Sequence, residues 1–460
     1  MRRIAVIGSG IAGLLTAHGL LRAGHAVTVF TDRTAEQWLH GRPTGTAARF
    51  ASALAYEREL GLDDWHTAAP PITGACLLYC PSPGNVLATL TGRQTTPGLA
   101  IDVRLQSHRW MHEFTARGGQ LAIETVTVAR LDEIAAAHDL TVVAAGGREL
   151  TALFARDEAR SVHREPQRNV AMLTVHGPPL LRDGAPFIAV KNNILEGAGE
   201  AVWIPYHHRD VGRCWNLIFE AKPGGPMDVF MGARTGAEAL DLARRVITTL
   251  TPWDAAWARD MRLADEQGWL VGRITPTVRS PVARLPSGRV VTCVGDTAIH
   301  FDPLAAQGAN NGTRMARHLV AAVAAHADRP LDEAWMHATF ESFWAAEGRP
   351  AYALTNLMLA PMSAAGRLVL IAQYGSDGAR DDGCQALADA FADAFADPAG
   401  ILGPLTDVAA ARRYIAGKSG QSWLRRVLAG GLGIARAQVR QRLGLAPLHP
   451  PERLRRASGG

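Results

Sequence analysis

The chain has 460 residues, about twice what one ordinary core needs, so two packed domains are expected. Hydrophobic residues make up 47 % and charged residues 20 %, which excludes wholesale disorder, collagen and coiled coil. The net charge of +5 suggests nucleic acid or membrane as a partner, yet nine Lys/Arg against Glu452 alone give residues 418–460 a net of +8, leaving −3 for residues 1–417. The body is mildly acidic and the tail is basic. The five cysteines (Cys76, Cys80, Cys214, Cys293, Cys384) are scattered, with no C-x-x-C pair and no zinc-ligand spacing, a usage that suits reduced thiols in a cytoplasm.

In chain order, the opening MRRIAVIGSGIAGLLTAHGLL has the outline of a signal peptide, but glycines interrupt it at functional spacing and no convincing cleavage site follows. It reads instead as a βαβ unit: strand Ile4–Ile7, a glycine turn, a helix over about Ala12–Ala23, Gly24 as its stop and strand Ala26–Phe30. Residues 34–100 alternate helix-like pieces with Pro/Gly-rich turns, and LTVVAAGG (Leu140–Gly147) is a short buried strand expected to rejoin the first sheet. From Gln167 to Glu220, the segments NVAMLTV, AVWIPY and CWNLIFEA alternate like antiparallel strands of a second sheet, with a helix following at about Thr235–Thr249. RVVTCVGDTA (Arg289–Ala298) returns to a buried strand, and Gly312–Ala327 is a helix. Ala-rich helices fill the stretch to about Ala416, and the tail carries one amphipathic helix, Trp423–Leu443, before a Pro/Arg/Gly end with the composition of disorder. With no other long apolar run, a soluble, unexported, cytoplasmic protein is expected.

Gly8, Gly10 and Gly13 form G-x-G-x-x-G directly after a strand and at the start of a helix, the context that turns a weak pattern into a dinucleotide-binding signal. Gly8 permits the tight turn, Gly10 lets the backbone approach a pyrophosphate, and Gly13 lets the helix pack on the strand. Asp32, 19 residues after Gly13 at the end of the second strand, is placed to accept hydrogen bonds from ribose hydroxyls. A glycine turn without ligand is the plainer alternative, disfavoured by strand, helix and acid standing together. FAD is separated from NAD at the far end, where Gly295-Asp296 follows a buried strand and Pro303 and then Gln307-Gly308-Ala309-Asn310 lead into a helix. Asp296 suits a ribityl chain, while the helix N-terminus aims N–H donors at the pyrimidine edge of a flavin and favours its anionic reduced form.

These segments, with VTVFTDR (Val27–Arg33), DVRLQSHRWMHEFTARGG (Asp102–Gly119), PQR (Pro166–Arg168), WIP (Trp203–Pro205) and DPLAAQGAN (Asp302–Asn310), resemble in order, over roughly residues 1–417, the FAD-dependent oxygenase component of two-component styrene and indole monooxygenases. GxGxxG and GD are shared by many flavoprotein hydroxylases; FTDR, PQR and DP-x-x-x-QGAN are more particular to this group. The resemblance implies an α/β fold with a Rossmann-type FAD-binding domain (1–165 and 285–330), interleaved with a smaller substrate domain on a mainly antiparallel sheet (166–284). A helical C-terminal region (331–417) and the basic tail (418–460) follow. It adds Ala12, Arg33, Gly308 and Ala309 to the cofactor-binding set and puts Arg42 and Arg104 at the FAD ribose or phosphates, a surface ion pair being the alternative for each. Pro303, Gln307 and Asn310 then lie against the isoalloxazine as the catalytic set. FAD reduced by a separate NAD(P)H-flavin reductase would react with O2, the co-substrate, to give a C4a-(hydro)peroxide that epoxidises or hydroxylates a small aromatic, alkene or indolic substrate. One dinucleotide fingerprint, with no second Gly-rich strand–turn–helix, agrees with a reductase supplied separately. A homodimer is left open.

The departures bear on the substrate. Gly45, Ala47 and Arg49 stand where styrene-type enzymes carry Asn, Val and His, and Ile72 and Ala75 replace an aromatic and a histidine. As substrate-binding positions, these five imply a pocket reshaped by smaller groups and one cation, with Arg49 facing a carboxylate or phenolate; a solvated helix-face arginine is the plain alternative. A specialised biosynthetic N- or C-hydroxylase and a flavin-binding partner protein without turnover are the rival readings. No metal site is expected: His207, His208 and Asp210 read as a polar turn, because adjacent strand residues point to opposite faces. Cys76 and Cys80 read as core thiols and His300 as a partly buried, satisfied histidine. WIP is similar to a flavin-halogenase signature whose two tryptophans would fall at Glu200 and Val202, which disfavours halogenation. Nucleic acid drops out for want of basic motifs with interleaved aromatics, and the tail helix is expected to pack on the body ahead of docking a reductase or a membrane.

Overall fold

The computed structural model describes residues 1–45, 48–144, 147–181 and 185–443, the side chain of Arg148 excepted. The chain divides into two compact units: Met1–Trp65, Ile101–Pro166 and Ile274–Asn356 form one, and His66–Ala100, Gln167–Arg273 and Leu357–Gly460 the other.

The first unit is built on a sheet in the order Val282–Arg284, Val290–Cys293, Leu140–Val143, Arg3–Ile7, Ala26–Thr31, Gln120–Ile123. Every pairing in it is parallel except that of Val282–Arg284 with Val290–Cys293. Central parallel strands covered on both faces need unbroken apolar runs, and Ile4–Ile7 and Leu140–Val143 supply them. Helix Ile11–Arg22 crosses between the first two strands, and the chain reverses at Gly24, whose φ of +84° suits glycine. Helix Gln307–Ala325 packs tightly along it, since a Cβ on Gly19 would come within 2.8 Å of Val320.

The second unit holds a larger sheet that runs Arg262–Leu263, Asn169–His176, Gly212–Ala221, Gly199–His208, Val190–Leu195, Ile72–Cys80, Ala88–Ala100. Its pairings are antiparallel apart from Ile72–Cys80 with Val190–Leu195. Helix Gly236–Leu250 turns Ala239, Ala243, Val246, Ile247 and Leu250 into a core that includes Trp203, Trp215 and Trp257. Residues 72–100, expected as helix-like pieces and turns, are two long strands instead. The burial of Ile72–Cys80 alternates strictly, and Gly74 and Gly92, which read as turn punctuation, sit inside strands where neighbours crowd them. A Cβ on Gly92 would lie 2.1 Å from the carbonyl oxygen of Ala388 in helix Gly383–Asp393. Helices Ala364–Ala372, Gly383–Asp393, Val408–Ser419 and Trp423–Arg442 complete this unit. All five cysteines are buried and unbonded to one another. Among the described residues no single helix is long and apolar enough to cross a membrane.

Candidate active site

The glycine turn of the first unit is organised around what each glycine lacks. Gly8 has φ +113° and donates its N–H to the carbonyl of Phe30 at 2.8 Å. A Cβ on Gly13 would lie 2.1 Å from the Gly8 carbonyl oxygen, so helix and strand meet there only because position 13 has no side chain. Gly10, which opens the helix without any side-chain cap, is different: a Cβ on it would meet nothing within 4 Å. The first-turn N–H groups therefore border open space, the condition a phosphate requires. Ser9 Oγ lies 2.7 Å from Thr31 Oγ1 and accepts from Trp38 Nε1 at 2.7 Å, while the Arg33 guanidinium stacks 5.0 Å over the Trp38 ring. Asp32 stands exposed just beyond strand Ala26–Thr31.

Helix Val103–Ala116 adds a buried charge pair. Asp102 caps it by accepting from Arg104 N–H at 3.0 Å and binds the Arg104 side chain through Nε (2.9 Å) and Nη2 (2.7 Å). Arg104 Nη1 donates to the Gly41 carbonyl at 3.2 Å, whereas Arg42 is exposed. Two residues on, Gln106 is wholly buried, and neither end of its amide has a partner among the described residues. A buried, unpartnered amide is costly unless something satisfies it, so Gln106 joins the candidate site. Sequence reading passes over it, because one glutamine in an amphipathic helix gives no signal until the fold shows its burial.

The far-end motifs arrive at the same turn. Gly295, with φ +64°, ends the strand-to-turn passage where a Cβ would strike Ala12 at 2.8 Å, and a Cβ on Gly312 would meet Ala12 at 3.3 Å. Ala12 is thus the small residue on which the GD segment and helix Gln307–Ala325 close. Asp296 is exposed, and its Oδ1 lies 3.8 Å from where a Gly308 Cβ would stand. Helix Gln307–Ala325 starts from Ala306 at φ 52° and ψ 30°, a left-handed conformation that costs a non-glycine residue about 1 kcal/mol or more. Asn310 holds it there. Its Nδ2 donates to the carbonyls of Ala306 (2.7 Å) and Ala48 (2.8 Å), and its Oδ1 accepts from Phe50 N–H (2.8 Å). Gln307 is turned inward as well, donating to the Ala305 carbonyl at 3.0 Å and accepting from Arg314 at 3.0 Å. Pro303 is half-buried at the head of a short 3-10 turn that Asp302 caps. A cavity of about 620 Å³ opens beside Asp296, walled in part by Arg156, Arg279 and His300.

The five substrate-binding positions are dispersed in character. Arg49 lies in the two-residue strand Ala48–Arg49, wholly buried and ion-paired with Glu57; it is neither solvated nor helical. A Cβ on Gly45 would meet nothing within 4 Å, and Ala47 lies outside the described residues. Ile72 belongs to the buried face of its strand and Ala75 to the half-buried one. Arg168 of the PQR segment ties to the strand that carries WIP, its Nε and Nη2 donating to Glu200 at 2.8 and 3.0 Å. His208 has both ring nitrogens engaged, one 2.6 Å from Asp265 and the other accepting from Asp210 N–H at 3.1 Å.

With that geometry in hand, residues 146–256 match the family model "Styrene monooxygenase A putative substrate binding domain". Styrene monooxygenase StyA of Pseudomonas fluorescens is 26 % identical over 331 residues, 71 % of this chain and 78 % of its own, and StyA of a Pseudomonas sp. matches to the same extent. The chain is a flavin-dependent monooxygenase related to these StyA-type oxygenases. Solved structures agree on the fold. The flavin-dependent halogenase CmlS superposes with a TM-score of 0.59 at 14 % identity, covering 96 % of this chain and 78 % of that one. A flavoprotein/dehydrogenase from Cytophaga hutchinsonii gives 0.61 at 12 %, covering 90 % and 99 %. The p-nitrophenol 4-monooxygenase PnpA from Pseudomonas putida DLL-E4 gives 0.53 at 15 %, covering 91 % and 98 %. The chain thus has the α/β architecture of the flavoproteins among these structures, which use a flavin. The residues fit that cofactor: open space above Gly10, the unpartnered amide of Gln106, and Asp296 facing the uncapped helix start at Gly308.

Proposed function

We propose that the chain is the oxygenase of a two-component system, taking reduced FAD from a separate NAD(P)H-flavin reductase and transferring one oxygen atom of O2 to a small aromatic, vinyl-aromatic or indolic substrate. The observation that carries this reading is the convergence of Gly10, Ala12, Asp296 and Gly308 on one turn of the first unit, in a chain similar to StyA over 71 % of its length. Reduced FAD, when bound, supplies the two electrons that activate dioxygen. In this reading Asp32 accepts from ribose hydroxyls, the N–H groups following Gly10 face the pyrophosphate, and Arg33, Arg42, Arg104 and Gln106 complete the dinucleotide contacts. Asp296 accepts from the ribityl chain. The backbone amides of Gly308 and Ala309 and the positive end of their helix stabilise negative charge on the ring, with Pro303 packed against it. Asn310 and Gln307 act as positioning residues, because their side-chain hydrogen bonds are spent on holding the helix start. Gly45, Ala47, Arg49, Ile72 and Ala75 are the proposed substrate contacts, and Arg49 would bring its Glu57 partner with it, a neutralised pair in place of a bare cation.

The test is purified chain with FAD, NADH, a generic flavin reductase and 18O2, offered indole, styrene and an aryl sulfide. A product carrying one labelled oxygen is expected. Oxidation of all the NADH to NAD+ with the O2 reduced only to hydrogen peroxide, and no oxygenated product from any of the three, would overturn the reading. The smaller residues at Gly45 and Ala75 favour one refinement, a biosynthetic N- or C-hydroxylase, which product mass and regiochemistry separate from an epoxidase.

A further inference from the structure

We propose that Glu36, His40, His108 and His112 form a binding site for a divalent transition-metal ion of the zinc class on the surface of the first unit. Two packed helices each present a pair of ligating residues at i and i+4: Glu36 and His40 on Ala35–His40, His108 and His112 on Val103–Ala116. That spacing places both members of a pair on one helical face. Across the helices, His108 Nε2 lies 2.9 Å and His112 Nε2 3.9 Å from Glu36 Oε1, and His40 Nε2 lies 3.6 Å from Glu36 Oε2. In a tetrahedral site with metal–nitrogen bonds of about 2.0 Å, neighbouring ligand atoms stand about 3.3 Å apart. The donor atoms of Glu36, His108 and His112 lie within 4.8 Å of one another, so these three can close on an ion by side-chain rotation, with His40, beside the other Glu36 oxygen, swinging in as the fourth ligand.

The donor set gives the ion class. Three imidazoles and one carboxylate suit Zn2+, Co2+, Ni2+ or Cu2+, whereas Ca2+ and Mg2+ want oxygen ligands. The backbone that carries them is fixed from both ends. Thr34 and Gln37 form a reciprocal capping box, Trp38 is tied to Ser9, and Asp102 caps the second helix. His108 is 23 % exposed on its side chain and the other three 56–71 %, so an ion reaches the cluster from solvent. An ion there would staple the helix that follows Asp32 and Arg33 to the one that carries Arg104. The site stands independently of the oxygenase reading.

The full chain, dialysed against chelator, is titrated with Zn2+ by calorimetry and with Co2+ by visible absorption. One equivalent of Zn2+ per chain is expected, with a raised Tm and the intense ligand-field bands of four-coordinate Co2+. His108→Ala/His112→Ala removes two of four ligands and should cost at least about 100-fold in affinity. Glu36→Gln keeps the size and the His108 hydrogen bond but removes the anionic ligand, and should weaken binding about tenfold or more. Absence of saturable Zn2+ binding, or binding that both variants retain with native circular dichroism, overturns the site. FAD affinity of the metal-free protein is unaffected in either event, so this result and that of the oxygenation assay are read separately.

Discussion

Gly10 and Gly13 are indistinguishable as letters, and the structure separates them by what a Cβ would meet. Gly13→Ala sets a methyl 2.1 Å from a backbone carbonyl that cannot rotate away, so helix Ile11–Arg22 must lift off its strand. A loss of about 1–3 kcal/mol is expected in urea unfolding. Gly10→Ala meets no protein atom within 4 Å and should unfold at the parent's midpoint while losing FAD affinity. If Gly10→Ala binds FAD as the parent does, the open space above residue 10 is not the phosphate site. The packing role of Gly13 was legible in its spacing because it follows from the strand–turn–helix context, and the same context is what proposes a phosphate at Gly10. Gln106 and Arg49 were not legible, since burial decides both: one is a buried amide with no partner among the described residues, the other a buried cation tied to Glu57 from a strand of two residues.

Helices and strands were read from large apolar residues, and that reading went astray where small residues carry the packing. In the tail helix Trp423–Arg442, the sequence places Trp423, Leu424, Val427, Leu428, Leu432 and Ala435 near one side. The structure splits that side. Trp423 and Val427 pack on a cluster including Val369, Leu387 and Ile415, while Leu424, Leu428 and Leu432 are 49, 57 and 61 % exposed. Glycine sets the rotation. A Cβ on Gly430 would lie 1.9 Å from the Ile371 carbonyl oxygen, and Arg426, donating to the carbonyls of Ala372 (2.8 Å) and Tyr374 (3.1 Å), ties the same face. Gly431, one residue round, has nothing within 4 Å of its Cβ position. Both glycines cost helix propensity, so Gly431→Ala should stabilise the protein by about 0.5–1 kcal/mol. Gly430→Ala should destabilise it despite the same propensity gain. Equal urea midpoints for the two variants would mean that the helix is not seated on this face. Residues 72–100 miscarried for the same reason, because Gly74 and Gly92 signalled turns where they make room for close neighbours.

For the molecule as a whole, basic charge is a property of the tail and acid sensitivity a property of buried imidazoles. His18, on helix Ile11–Arg22, is 2 % exposed; its Nε2 lies 2.9 Å from the Trp110 carbonyl, and Nδ1 has no partner among the described residues. This arrangement suits the neutral ring with its proton on Nε2. Burial pushes its pKa down from the ordinary 6.5 to about 4, and burial lowers His25 and His163 in the same direction. The sign follows from which state binds the proton. Above pH 6.5 His18 is neutral folded and unfolded, and its titration contributes nothing. Between pH 6.5 and about 4 the unfolded chain takes up a proton that the folded one refuses, so stability falls, and below about 4 the loss is complete. At 1.36 kcal/mol per unit, the full loss from this residue is about 3 kcal/mol. Urea midpoints measured from pH 7.5 to 4 should therefore drop on the acid side, and His18→Gln, whatever it costs at pH 7.5, should flatten that slope by an amount of that order. If the variant keeps the parent's slope, His18 is not the buried neutral group that the fold makes it.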